Sequence, residues 1–346
     1  MGDSAGIGPE IVAKTAASGF LNDVCRPLII GDMRVLKNAF TIIGKSAECF
    51  PVSAENVLAG LEDAYRKSPP ADPVRGIPVL DRKNQDPGKI IPGQLRADCG
   101  KAVLDMLAVS CDLCRQGIIQ GFCFAPLNKA AMIEAGSFVY PGKHFSSEHE
   151  FLADLLGVSG VSGEINVLNE FSTTRITSHI PLKDVSACLS EKRILDAVSL
   201  AYRTVLGFGV KKPRVAVAAL NPHAGDSGKC GTEEILIIRP AIEKARELGM
   251  EVQGPFSADT LFLRAFNGEF DSVVTMYHDQ GQIAMKLKGF ERGVTVAGGM
   301  PYPIATPAHG TAFDIAGKGI AGTSAFESAL KLVARMIANA GGTGYL

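Results

Sequence analysis

Short apolar runs alternate along the chain with longer stretches in which apolar residues recur every three to four positions. RPLIIGD, QGFCFAPLNK, EINVLNE, TTRITSH, PRVAVAALNPH and FDSVVTMYHDQG are of the first kind and predict strands. PEIVAKTAA, ADCGKAVLDMLAVSCDLC, EEILIIRPAIEKARELG and TSAFESALKLVARMIANA are of the second and predict helices. Such alternation implies an α/β fold with mainly parallel sheets. The stretch from Ala54 to Asp98, rich in Pro, Gly and charge, is expected to form excursions on the surface of a first lobe. SFVYPGKHFSSEHE, residues 137–150, is expected to be a hinge or substrate loop.

A chain of 346 residues suits two domains. Its 35 Lys plus Arg against 36 Asp plus Glu leave no charge excess to attract nucleic acid or an anionic membrane, so the expected partner is a small molecule. No apolar run approaches the roughly 20 residues of a membrane helix. MGDSAGIGPE lacks the basic and apolar parts of a signal peptide, and a soluble cytoplasmic protein is expected. The eight cysteines, scattered through predicted helices and strands, read as reduced thiols. Cys111 and Cys114 form a C-x-x-C inside a helix, with nothing nearby to lower a thiol pKa except the helix's own end.

Three of the six histidines sit where strand-like runs stop: His179 in TTRITSHIPL, His223 in PRVAVAALNPH, and His278 in TMYHDQG after Val273 and Val274. Ligands of open parallel sheets bind outside the carboxyl ends of the strands, so these side chains can converge. Three imidazoles with an open position make a catalytic metal site, and imidazole favours zinc, cobalt, nickel, manganese or iron over magnesium or calcium. The alternative is three unrelated structural histidines. GDSAGIGPE places Pro9 at the start of a helix with small residues before it, and it lacks the G-x-G-x-x-G of a dinucleotide fingerprint. Gly44-Lys45-Ser46 has Ala39 where a phosphate-binding loop needs its first glycine. NPHAGDSGKCGTEE surrounds His223 with flexible backbone and predicts a helix from Thr232 with acidic residues in its first turn.

PAHGTAFDIAGKGIAG, residues 307–322, resembles the adenine-ribose loop of the β-decarboxylating dehydrogenases, which implies a nicotinamide dinucleotide bound by His309, Gly310, Thr311, Ala312 and Asp314. G-D-x-A-G-I-G-P-E, A-P-L-N-K, S-H-I-P-L, N-P-H-A-G, G-T-E-E, A-D-T-L-F, Y-H-D-Q-G and H-G-T-A, in that order, together resemble the 4-hydroxythreonine-4-phosphate dehydrogenase family of pyridoxal phosphate (pyridoxine) biosynthesis. The resemblance implies two α/β/α lobes of the isopropylmalate/isocitrate dehydrogenase-like type with a cleft between them. The first lobe would span 1–126 plus 300–346, and the second 127–299 with the metal site and dimer interface. It also implies NAD or NADP and a divalent metal on His179, His223 and His278, with zinc favoured over cobalt, manganese or nickel. The active sites would be shared across a homodimer, His278 of one subunit facing His179 and His223 of the other. A short strand would precede G-D-x-A-G, where only Met1 stands here.

Departures from the family pattern fall on substrate positions. Where the family reads G-H-T-E, this chain reads Ser147-Glu148-His149-Glu150; the substrate lysine survives as Lys286, the Asn position is Thr295 and the Arg position Ile304. Losing the arginine removes a fork that binds phosphate with two hydrogen bonds, and Glu148 adds a repelling charge. The expected substrate is therefore another small hydroxy acid, as for the diol dehydrogenases of the superfamily. The expected reaction is oxidation of a secondary alcohol, followed by loss of a β-carboxylate where there is one. Lys129 would protonate the enol or hold a carboxylate, and Asp279 would orient a metal-ligating imidazole or accept a proton. A genuine 4-hydroxythreonine-4-phosphate dehydrogenase, a metal-dependent lyase or hydrolase, and a non-enzymatic binding protein stay open as alternatives. The dinucleotide-like loop favours a dehydrogenase, since a hydrolase has no use for it.

Overall fold

The computed structural model describes residues 1–66, 76–136, 139–140, 143–145 and 147–340. The chain divides into two compact units, one of residues 1–157 and 304–334, the other of 158–303 and the chain from Arg335 on. The first contains α1 (Gly8–Ala17), α2 (Phe20–Val24), β1 (Ile29–Gly31), α3 (Met33–Ile43), β2 (Cys49–Val52), α4 (Val57–Arg66), β3 (Ile77–Asp81), α5 (Ala97–Arg115), β4 (Phe122–Cys123), α6 (Lys129–Glu134), β5 (Val139–Tyr140), β6 (Lys143–His144) and α7 (Glu148–Leu155). The second contains β7 (Gly163–Leu168), β8 (Phe171–Arg175), α8 (Glu191–Gly207), β9 (Val215–Ala218), α9 (Arg239–Glu247), β10 (Val252–Phe256), α10 (Ala258–Phe266), β11 (Ser272–Thr275), α11 (His278–Gly289) and β12 (Val294–Gly298). The chain then returns to the first through β13 (Ile304–Pro307) and ends in α12 (Ser324–Ala340).

In the second unit the strand order is β10-β9-β11-β8-β7-β12. The first four strands are parallel; β7 runs antiparallel to both β8 and β12. Successive side chains of a strand point to opposite faces. Along β9, Val215 and Val217 accordingly join Ile194 and Val198 of α8 and Ile242 of α9, whereas Ala216 and Ala218 join Leu261 and Phe262 of α10. Both faces are covered, which is why β9, VAVA, reads as a continuous apolar run rather than an alternating one. In the first unit β1, β3 and β2 form a parallel sheet with β3 in the middle, and β13 pairs parallel with β4.

Three expectations are corrected. The stretch from Ala54 to Asp98 is only in part a surface excursion: residues 82–96 are largely exposed irregular chain and 67–75 lie outside the described residues, but it also supplies α4 and the central strand β3, whose Ile77, Val79 and Leu80 are buried. Pro78 obscured it, because proline inside a run argues against a central strand, yet here it pairs in register with Phe50. Residues 127–157 belong with the first unit, because α6 and α7 pack on α5. Gly100 on α5 lies so close to α6 that a Cβ there would stand 2.1 Å from the Ala131 carbonyl oxygen. The end of α12 goes instead with the second unit, where Asn339 Nδ2 donates to the Gly207 carbonyl at 3.2 Å. Finally, the single helix expected from Thr232 begins as a wide π turn, Glu234–Ile238, before α9, since Pro240 has no N–H to offer the turn before it.

Candidate active site

β9, β11 and β8 are neighbouring parallel strands, Val274 registering with both Val217 and Thr174, so their carboxyl ends share one edge of the sheet. His223, His278 and His179 follow those three ends. The polar residues of YHDQG stitch the edge together: the Gln280 carboxamide accepts from Met276 N at 2.7 Å and donates to the Ala219 carbonyl at 2.7 Å, tying the end of β11 to that of β9. On the other side Thr177 Oγ1 donates to the Met276 carbonyl at 2.7 Å. The His179 and His278 rings are 5.7 Å apart between centroids. His278 Nδ1 lies 2.6 Å from the Asp279 carboxylate, to which it donates, leaving the Nε2 lone pair available to ligate. Two adjoining imidazoles, one with its tautomer fixed by a carboxylate, suit a borderline divalent metal. His223 does not join them: among the described residues no three His, Cys, Asp or Glu side chains come together closely enough to hold a metal. The resemblance put His179 with His223; within one chain it is His179 and His278 that adjoin.

His223 opens a turn in which five successive residues, His223 to Ser227, have φ of 52, 53, 82, 42 and 58°. The left-handed conformation costs roughly 1–2 kcal/mol for each non-glycine residue, so only strong surrounding bonds maintain four of them. Within the turn the Asp226 and Gly225 carbonyls accept from Lys229 N and Cys230 N, and its entry is anchored by Glu234, fully buried at the start of the π turn. Its carboxylate accepts from Asn221 N at 2.7 Å and from Asn221 Nδ2 at 2.9 Å, so the N-P-H-A-G and G-T-E-E motifs are one clamp.

In the first unit a second buried carboxylate does the same for the dinucleotide-like loop. Glu10 of α1 accepts from Gly317 N at 2.5 Å and Gly319 N at 2.8 Å, and Lys14 donates to the Ala321 carbonyl. Thr311 accepts from Ile7 N at 3.0 Å, and its side chain sits where a Cβ on Gly6 would be, at 2.7 Å, so G-D-S-A-G-I-G-P-E is the seat of H-G-T-A. Of the predicted cofactor residues, Gly310 has open space around its Cα, His309 Nδ1 lies 3.1 Å from the Gly310 carbonyl, Ala312 has φ of 44°, and Asp314 is exposed. Asp3, in the same N-terminal loop, accepts from Ala5 N at 2.9 Å, and burial pushes its carboxyl up to about 6 from the ordinary 3.8.

The remaining sequence candidates are dispersed. Of residues 137–150, expected to be a hinge or substrate loop, 137–138, 141–142 and 146 lie outside the described residues, while 147–150 are the cap and first turn of α7: Ser147 Oγ caps Glu150 N at 3.2 Å, a Ser-x-x-Glu start that also places Glu148 where a helix dipole favours an acid. Glu148 holds Lys129 at 2.9 Å. His149 is buried and Lys286 exposed. Thr295 Oγ1 accepts from Asn166 at 3.2 Å. Ile304 is fully buried at the head of β13, registered with Phe122, and so lines no open site. All eight cysteines are free; burial pushes the Cys111 and Cys114 thiols up to about 12, as inert helical thiols require. Sequence reasoning missed Glu10, Glu234, Asn166 and Arg175. Only the two glutamates carried a signal, as the last residues of G-I-G-P-E and G-T-E-E.

The family described as pyridoxal phosphate biosynthetic protein PdxA matches residues 23–333. The chain belongs to that family. It is 44% identical over 336 residues to "Putative 4-hydroxythreonine-4-phosphate dehydrogenase 2" of Rhizobium meliloti (strain 1021), covering 97% of this chain and 91% of that one. Among solved structures, 4-hydroxythreonine-4-phosphate dehydrogenase from Klebsiella pneumoniae superposes with a TM-score of 0.81 at 33% identity, covering 97% and 96% of the two chains. A terephthalate 1,2-cis-dihydrodiol dehydrogenase from Burkholderia xenovorans LB400 has a TM-score of 0.64 at 25% identity, with 97% and 96% covered. PdxA enzymes are NAD(P)-linked dehydrogenases that oxidise a CH–OH group and use a divalent metal. Among the described residues no helix is long and apolar enough to cross a membrane.

Two outcomes follow from these loops. Glu234→Gln replaces one acceptor oxygen by a donor facing Asn221, and should lower stability by about 2 kcal/mol while raising amide exchange across 221–230. Unchanged exchange there would dissociate Glu234 from the turn. For Asp3 the folded carboxyl keeps its proton to a higher pH than the unfolded one. The resulting stability is fully present below 3.8 and lost as the pH rises through about 6. Asp3→Asn should remove this decline, widening its advantage over the parent by up to about 3 kcal/mol between about pH 4 and about pH 7 in urea unfolding.

Proposed function

We propose that this PdxA-family protein is a homodimeric dehydrogenase that oxidises, and where a β-carboxylate is present decarboxylates, a small hydroxy acid without a 4-phosphate. The observation that carries the substrate assignment is the Lys129–Glu148 ion pair at 2.9 Å. An acid at this position cancels a cation that would otherwise attract phosphate, and the burial of Ile304 leaves no side chain to replace the family arginine. The similar fold of a dihydrodiol dehydrogenase supports such a change of substrate. A second reading, 4-hydroxythreonine-4-phosphate dehydrogenase itself, is favoured by the 44% identity to a protein of that name.

The residues assigned to a metal are His179, His223 and His278, and those assigned to NAD or NADP are His309, Gly310, Thr311, Ala312 and Asp314. When bound, these groups supply Lewis acidity at the reacting oxygen and a hydride acceptor. Asp279 orients the His278 imidazole and stands ready to take the hydroxyl proton. Lys129 offers its ammonium to a substrate carboxylate or a proton to an enol, while Lys286 and Thr295 remain for the rest of the substrate. Assembly is supported by apolar side chains left exposed beside the histidine loops: Leu182 after His179, Leu236 after the His223 turn, and Ile283 and Leu287 on α11, Leu287 being 85% exposed. A second copy of the chain would cover them.

NADH or NADPH formation, measured with metal across matched phosphorylated and unphosphorylated hydroxy acids, should give the higher kcat/KM for the unphosphorylated ones. Glu148→His should shift the preference towards phosphate. A parent preference for 4-hydroxythreonine-4-phosphate would instead establish the second reading. For the assembly, Leu287→Glu should halve the mass seen by light scattering. Mixing inactive His278→Ala and His223→Ala subunits should restore part of the activity through hybrid dimers; no recovery after verified subunit exchange excludes shared sites.

A further inference from the structure

Arg175 ends β8 with its side chain only 5% exposed, and nothing in the sequence singled it out. Its three donor positions are all engaged. Nη2 meets the Glu164 carboxylate at 2.5 Å, Nη1 the Asn166 carboxamide oxygen at 2.8 Å, and Nε the Ser178 hydroxyl at 3.0 Å. Ser178 immediately precedes His179. The same Asn166 oxygen accepts from Gln282 of α11 at 2.5 Å, one helical turn after His278, and Asn166 Nδ2 donates to Thr295. One guanidinium is thus linked through side chains to Ser178, the residue before His179, and, by way of Asn166, to Gln282 on the helix that His278 opens; the two imidazoles stand 5.7 Å apart.

We infer that Arg175 is a positioning residue that sets His179 against His278. It touches neither ring. Through Ser178 it fixes where the chain leaves β8, and through Asn166 and Gln282 it fixes the rotation of α11, whose first residue is His278. A planar fork can satisfy three acceptors in fixed directions at once, which an ammonium at the end of a flexible stem cannot. Its charge is compensated by Glu164, so the side chain can stay buried without distorting the sheet. The consequence for metal binding rests on the assignment of His179 and His278 as ligands, but the consequence for the rings themselves does not.

The test is Arg175→Lys, which keeps the charge, alongside Gln282→Ala, which cuts the link to α11 and leaves the Arg175–Glu164 pair intact. In the metal-free protein, the histidine Cε1–H NMR signals of His179 and His278 should move in both variants, while those of His149 and His309 stay. Cobalt(II) titration should show roughly 10–100-fold weaker binding with an altered visible spectrum. The double variant should be no worse than the poorer single one, because both cut the same link. Histidine signals that coincide with those of the parent in folded Arg175→Lys and Gln282→Ala would overturn the inference. Should Arg175→Lys not fold, Gln282→Ala decides alone by the same signals. Displaced signals without cobalt binding by the parent would support the positioning role and sink the metal assignment instead.

Discussion

Backbone groups that leave regular structure must still find partners, and in this protein the loops of interest find them on two buried carboxylates. Glu10 takes the amides of Gly317 and Gly319, and Glu234 those of Asn221. A carboxylate binds an N–H more strongly than a carbonyl does, because the bond is charge-assisted. That strength lets the chain hold shapes that no helix or strand would stabilise: the left-handed run from His223 to Ser227 and the loop from His309 to Gly319. Glu234 opens the element just after the turn beside it, whereas Glu10, on α1, reaches a loop 307 residues further along the chain and so joins the two ends of the sequence.

The second constraint is the parallel sheet of the second unit. Because β9, β11 and β8 are neighbours with their carboxyl ends on one edge, three distant histidines are delivered to that edge without any local sequence signal joining them. Gln280 and Thr177 then convert a shared edge into fixed spacing. The edge also leaves leucines and isoleucines in water. The proposed second copy of the chain would cover Leu287, 85% exposed on the helix that His278 opens.

Much of this was legible from residue order. His223 and His278 stand out because the apolar runs of β9 and β11 give way to polar residues just before them, whereas β8, FSTTR, offers His179 no such contrast. The helical cysteines were equally plain. What was not legible depended on contacts remote in sequence or on local signals that pointed elsewhere. Pro78 concealed a central strand, and Pro240 turned a helix start into a wide turn. Ser147 to Glu150 carries a capping signature, but it ends a stretch whose Pro141 and Gly142 read as loop. The network of Glu164, Asn166, Arg175, Gln282 and Thr295 joins three strands and a helix, and none of its members is unusual for its own element.

The substrate question turns on how charge is compensated. A phosphate dianion leaving water needs several donors, preferably cationic, to offset its desolvation. In this chain the cation of Lys129 is already met by Glu148, and Glu148 itself is favoured by the α7 N-terminus at which it sits. Two independent attractions therefore stabilise the acid where it stands. A phosphate would have to displace it from both, whereas a carboxylate, with half the charge and two oxygens, needs only a share of the Lys129 ammonium. The proposal of an unphosphorylated substrate rests on this pair, which also stabilises the start of the helix.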